Sequence, residues 1–71
     1  MEVKIGVQHA PREIVVEVDA SQDEIEAQVS AALDGGVLSL VEPKGRRVVI
    51  PGDRIAYVEL GRQTQGTVGF R

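Results

Sequence analysis

One stretch of this chain, Ser21 to Gly36, carries helical spacing; elsewhere the apolar residues alternate or sit in short runs bounded by turn formers. A lone helix must therefore cover several strands. Val3, Ile5 and Val7 alternate with Glu2, Lys4 and Gly6, and Ile14, Val16 and Val18 alternate with Glu13, Val15 and Glu17. That period-two pattern belongs to half-buried strands. Gln8 to Pro11 interrupts it, so the two segments are expected to pair as an antiparallel hairpin with one wet face.

Ser21 and Glu24 have the spacing of a capping box, in which the hydroxyl takes the third amide and the carboxylate returns to the cap amide. A helix is expected to start there. Ile25, Val29, Ala32 and Leu33 then make an apolar stripe, with Asp23, Glu26, Gln28 and Ser30 toward solvent. Gly35-Gly36 ends it, because glycine accepts the left-handed conformation that closes a helix.

Beyond the glycines, Val37 to Val41 and Arg46 to Ile50 flank Glu42-Pro43-Lys44-Gly45, a turn by composition, and predict a second hairpin. Pro51 to Arg54 turns into a further strand, Ile55 to Leu60, and Thr67 to Phe70 has the makings of a last one. The expectation is a single α+β domain over residues 1–71, with one helix on one face of a largely antiparallel sheet in the order ββαβββ(β). The segment MEVKIGVQHAPREIVVEVDASQDEIEAQVSAAL resembles the opening of ubiquitin-like β-grasp domains, which makes that arrangement the alternative. A β-grasp puts its final strand in mid-sheet after a long crossover. Here four turn residues separate Ile50 from Ile55, and a simple meander is favoured.

At 71 residues a hydrophobic core rarely supplies more than about 3–5 kcal/mol, and the absence of cysteine rules out disulfide or thiolate staples. Good packing or self-association has to make up the difference. Apolar runs such as Ile14-Val15-Val16 and Val48-Val49-Ile50 are far short of the ~20 residues that span a bilayer. The start, Met1 to Ile5, alternates from its first residue and lacks the basic and apolar regions of a secretory signal, so a cytoplasmic address is expected.

Catalytic chemistry has little to work with. The helix acids lie on its wet side or at its ends, where Asp23, Glu24 and Glu26 also favour the positive N-terminus. His9 has no cysteine or second histidine beside it and reads as a turn residue. Ser21 is used in capping, and Ser30 and Ser39 have neither a histidine at a diagnostic spacing nor a Gly-x-Ser-x-Gly elbow. No phosphate-binding loop is present, and Gly35-Gly36 follows a helix instead of opening one. The chain is expected to be no enzyme, with neither cofactor nor metal.

Charge is the feature left over. Residues 1–35 hold eight acids and two bases, residues 36–71 three acids and six bases, within an overall charge of -3. Such asymmetry can steer a partner. Lys44, Arg46 and Arg47 crowd one turn and Arg54 follows in the next, with Tyr57 a stacking surface should it emerge on their side. These five are the candidate partner-contact residues. The leading expectation is a protein-interaction module that forms a homo-oligomer, with the acidic helix or first hairpin of one copy meeting Arg46-Arg47 of another. The alternative is an accessory protein that contacts nucleic acid or nucleotide through residues 44–54.

The segments VLSLVEPKGRRVVIPGDRIAYVELG, VGFR and MEVKIGV resemble the domain-of-unknown-function family 3107, a family of short actinobacterial proteins, over nearly the whole chain. The most specific pieces are Lys44-Gly45-Arg46, Ile50-Pro51 and Ile55 to Glu59. The resemblance implies a small cytosolic bacterial protein with no established activity. It also implies an ATP-binding label carried by some members, for which this chain has no phosphate loop.

Overall fold

The structure, a computed structural model, describes residues 1–62. The strand expected at Thr67 to Phe70 and the cation Arg71 lie outside those residues. The element order is β1 (Glu2–Val7), β2 (Glu13–Glu17), α1 (Gln22–Leu33), β3 (Val37–Val41), β4 (Arg47–Pro51), a one-turn 3-10 helix (Gly52–Arg54) and β5 (Ile55–Leu60). All strand pairs are antiparallel. Alternation plus one capped helix thus yields the α+β class and the ββαβββ order they predict.

β1 and β2 pair with Val3 opposite Val16 and Ile5 opposite Ile14. Those four point inward, together with Val18, while Glu2, Glu13, Val15 and Glu17 are exposed on the other face. Between the strands His9 is an exposed loop residue at a left-handed φ of 65°.

The capping box of α1 is complete: Glu24 N–H donates to Ser21 Oγ at 3.2 Å, and Ser21 N–H donates to Glu24 Oε1 at 2.9 Å. The bond from the Ser21 amide, aided by its hydroxyl, holds the Glu24 carboxyl below the usual carboxylate range. Ile25 and Ala32 are buried and Val29 packs against the core, but Leu33 is 59% exposed, which corrects the expected stripe. At 3.6 residues per turn Leu33 stands about 80° round from Ile25, off the face that the sheet covers.

β3 and β4 form the second hairpin, with Leu38 opposite Ile50 and Leu40 opposite Val48. The expected meander ends there. β5 does not lie beside β4; it crosses to β1 and pairs on the edge opposite β2, so that one sheet runs β2-β1-β5 and a second contains β3 and β4. Nor is β5 in mid-sheet, as a β-grasp would have it. Two physical causes account for the crossing. β1 carries Val3 and Ile5 at 0% exposure, and a strand buried that deeply needs ladder partners on both edges. The chain is also redirected at Gly52, whose N–H donates to the Gly36 carbonyl at 3.0 Å. Gly52 lies so close to the end of α1 that a Cβ there would fall 1.9 Å from the Ala32 carbonyl oxygen. Once this turn is docked, the Arg54 carbonyl accepts from Gln8 N–H at 2.8 Å and delivers β5 to the free edge of β1.

α1 packs on β3, the 3-10 turn and β5. Between the helix and the strands Ile5, Ile25, Leu38 and Leu40 are the largest fully buried side chains, each contributing roughly 1.5–3 kcal/mol relative to exposure. Among the described residues no polar or charged side chain is buried.

Candidate functional site

Of the five candidate residues, three share a place. Pro43-Lys44-Gly45 forms a three-residue turn, closed by Glu42 N–H to Arg46 O at 2.7 Å and Gly45 N–H to Glu42 O at 2.8 Å, with Gly45 at a φ of 100°. Proline presets the first turn dihedral and glycine supplies the left-handed one, the usual chemistry of such hairpins. Lys44, Arg46 and Arg47 are therefore exposed together at the β3–β4 tip. Arg54 is exposed at the other end of β4, and a five-residue strand rising about 3.3 Å per residue sets it roughly 17 Å from the tip. Tyr57 belongs to β5, in the other sheet.

Among the described residues Arg46 is the tip cation with an ion pair, Nη1 to Glu42 Oε1 at 3.4 Å. Both groups sit near solvent, where such pairs contribute about 0–1 kcal/mol. The second Glu42 oxygen, Oε2, accepts from Glu17 N–H at 3.1 Å. Glu42 thereby spans the two sheets and occupies a backbone donor on the open edge of β2. Sequence reading missed this role. Its signal was the placement of an acid and a base on either side of a three-residue turn, which makes them a facing pair.

Tyr57 lies opposite Gly6, and Glu13 lies opposite Gly6 on the other side. With no side chain between them, the tyrosine ring crosses over Gly6 and its hydroxyl donates to Glu13 Oε2. The ring shares that sheet face with Glu2, Glu13, Glu17 and Glu59, and Lys4 is the one base there. The hydrogen bond to Glu13, followed by desolvation and the Glu13 and Glu59 charges, raises the phenol above its ordinary value of 10.0. A raised pKa favours the protonated phenol in the fold, so this contribution to stability is complete below the unfolded value and disappears as pH climbs through the folded one. Tyr57 is the chain's single tyrosine and there is no tryptophan, so phenolate absorbance reports it cleanly. Its midpoint is expected above that of a free tyrosine and should fall toward it in Glu13→Ala; an unchanged midpoint would refute the contact.

The outward face of β3 and β4 is mostly aliphatic, with Ser39 and Arg47 among its six residues. Val37 faces Pro51, Ser39 faces Val49 and Val41 faces Arg47. Val37 is 56% exposed, Val41 49% and Val49 57%. Val49 and Val15 are exposed as the alternation predicts, whereas Val37, Val41 and Pro51 were not singled out. Placing Leu38 and Leu40 in the core would have sufficed to find the first two, because neighbours in a strand face opposite ways.

Chemically the surface is plain. Among the described residues no three of His, Cys, Asp and Glu gather where they could hold a metal ion. An open groove of about 270 Å³ between α1 and β3 is lined by Val18, Ile25, Leu40 and Val41, with Asp19 its one acid. A second, of about 400 Å³, lies beside Glu17, Glu42, Pro43 and Lys44. Among the described residues no helix is long and apolar enough to cross a membrane.

Fold and surface together define a small α+β domain with a basic hairpin tip, a largely aliphatic hairpin face that shares Arg47 with the tip, and an acidic face on the other sheet. The chain belongs to the family described as "Protein of unknown function (DUF3107)", whose model matches residues 1–71. A comparison with curated proteins gives no match.

Proposed function

We propose that this protein is a non-catalytic module that binds protein, a second copy of itself included. The observation that carries the proposal is the outward face of β3 and β4, where Val37, Val41 and Val49 are each about half exposed on one small sheet. Contiguous aliphatic surface of this kind costs solubility unless something covers it. Charge adds support. The Lys44-Arg46-Arg47 tip and the Glu2-Glu13-Glu17-Glu59 face lie on different sheets, so two copies can bring opposite signs together.

Nucleic-acid or nucleotide contact through residues 44–54 draws on the same tip with less support. Arg46 is already paired with Glu42, Arg54 is at the far end of β4, and Tyr57 lies among glutamates. That division separates Arg54 and Tyr57 from the tip.

Sedimentation at high micromolar concentration and low salt is the test. A species of about twice the 7.6 kDa chain mass is expected. A strictly monomeric chain under those conditions would remove self-association from the proposal. Repeating the run at high salt separates contacts made by charge, which weaken, from contacts made by apolar surface, which persist.

A further inference from the structure

We infer that two copies join through the free edge of β4, antiparallel about a two-fold axis at Val49, to make a four-stranded sheet in the order β3-β4-β4-β3. The inference rests on the self-association proposed above and places the contact at the edge of the same hairpin, with Val49 at the seam and Val37 and Val41 still on the outward face of the enlarged sheet. The β3–β4 ladder runs through even-numbered residues, as the bonds from Glu42 N–H to Arg46 O and from Gly52 N–H to Gly36 O show. The backbone groups of Arg47, Val49 and Pro51 therefore point away from β3, and no other strand pairs with β4 among the described residues. The two edges of the three-stranded sheet differ. The open edge of β2 has its Glu17 N–H bonded to Glu42, and the β1–β5 ladder is broken by a register shift between Gly6 and Val7. β4 is regular from end to end.

Its sequence, Arg47-Val48-Val49-Ile50-Pro51, is self-complementary. Around a two-fold at Val49, Val49 meets Val49, Val48 meets Ile50 and Arg47 meets Pro51 of the second copy. Each Val49 N–H reaches the facing Val49 carbonyl, and each Arg47 N–H reaches a Pro51 carbonyl. The proline, which has no N–H to give, sits at the last position of the ladder, where least is lost. Val48, only half-buried in one copy, gains Ile50 of the other as a neighbour on the core side. Sliding the register by two residues to a Val48 axis brings the two Arg47 side chains diagonally together. The Val49 axis keeps them four residues apart, about 14 Å, beyond the Debye length of about 10 Å at 0.1 M salt. A slide by one residue would turn core residues outward and is excluded.

The chain has no cysteine, so one introduced thiol reads the contact directly. In the full-length protein, Val49→Cys places two thiols on the axis, where facing Cα atoms about 5.5 Å apart lie within disulfide range. Val37→Cys is the control, equally exposed but three strands from its counterpart. Under a glutathione redox buffer, Val49→Cys should form covalent dimer at least about tenfold faster than Val37→Cys, since pairing makes the reaction effectively intramolecular. In the unmodified chain the Val49 amide should exchange more slowly as protein concentration rises. If the wild type sediments as a dimer but the two variants cross-link alike, or the Val49 amide ignores concentration, the β4 pairing is overturned and self-association stands. A wild type that stays monomeric, with no excess at Val49→Cys, overturns both.

Discussion

Gly52→Ala is expected to remove about 3 kcal/mol or more of folding stability, enough to leave much of the chain unfolded at room temperature. The added methyl would meet three backbone atoms at once: the Ala32 carbonyl oxygen at 1.9 Å, the Ala32 carbonyl carbon at 2.6 Å and the Gly36 oxygen at 2.9 Å. None of these is the end of a flexible side chain that could swing aside. Relief requires the 3-10 turn to lift off α1, which would break the bond from Gly52 N–H to Gly36 O and pull β5 away from β1. Gly45→Ala is the comparison, because Gly45 has a left-handed φ of 100° but open space around it. It should lose only about 1 kcal/mol through backbone strain. Chemical denaturation of both variants measures the contrast. Equal small losses would mean that the crossing from β4 to β5 does not depend on this contact.

That crossing also marks where sequence reasoning stops. β1, β2 and α1 were legible because their signals are local: alternation over five or six residues, a Ser-x-x-Glu box, and glycines after the last apolar turn. The second hairpin was legible through Pro43 and Gly45. Strand partnership between β1 and β5 was not, since it depends on residues far apart in the chain, such as Val3 and Leu60. Pro51-Gly52 could be read as a turn, but nothing local reveals that Gly52 must fit beneath Ala32. The candidate site divides in the same way. Lys44, Arg46 and Arg47 are neighbours in sequence and remain neighbours in space, while the fold disperses Arg54 and Tyr57. The partner of Tyr57 is Glu13, forty-four residues away, and it is reached only because Gly6 leaves the path open.

Leu38→Ala is expected to lose about 2–5 kcal/mol, comparable with the whole stability of a domain this size. Leu38 is fully buried at 0% exposure, on the side of β3 that packs beneath α1. Shortening it removes apolar contact and leaves a void that a two-stranded sheet pinned at Gly36–Gly52 and Glu42–Arg46 cannot collapse to fill. Val37→Ala, one residue earlier on the outward face, should change the stability of the dilute monomer by no more than about 0.5 kcal/mol. The contrast separates the two faces of one hairpin, since Leu38 is needed for the monomer to fold whereas the outward valines are not. Aliphatic side chains that a monomer does not need are what an association surface requires. Thermal unfolding across a range of protein concentrations makes the distinction measurable. Association stabilises by mass action, so Tm of the wild type should rise with concentration. Val49→Ala should flatten that rise while leaving the dilute-limit Tm nearly in place. A Leu38→Ala variant within 1 kcal/mol of the parent, or a Val49→Ala variant that loses as much at high dilution, would show that the inner and outer faces had been assigned the wrong way round.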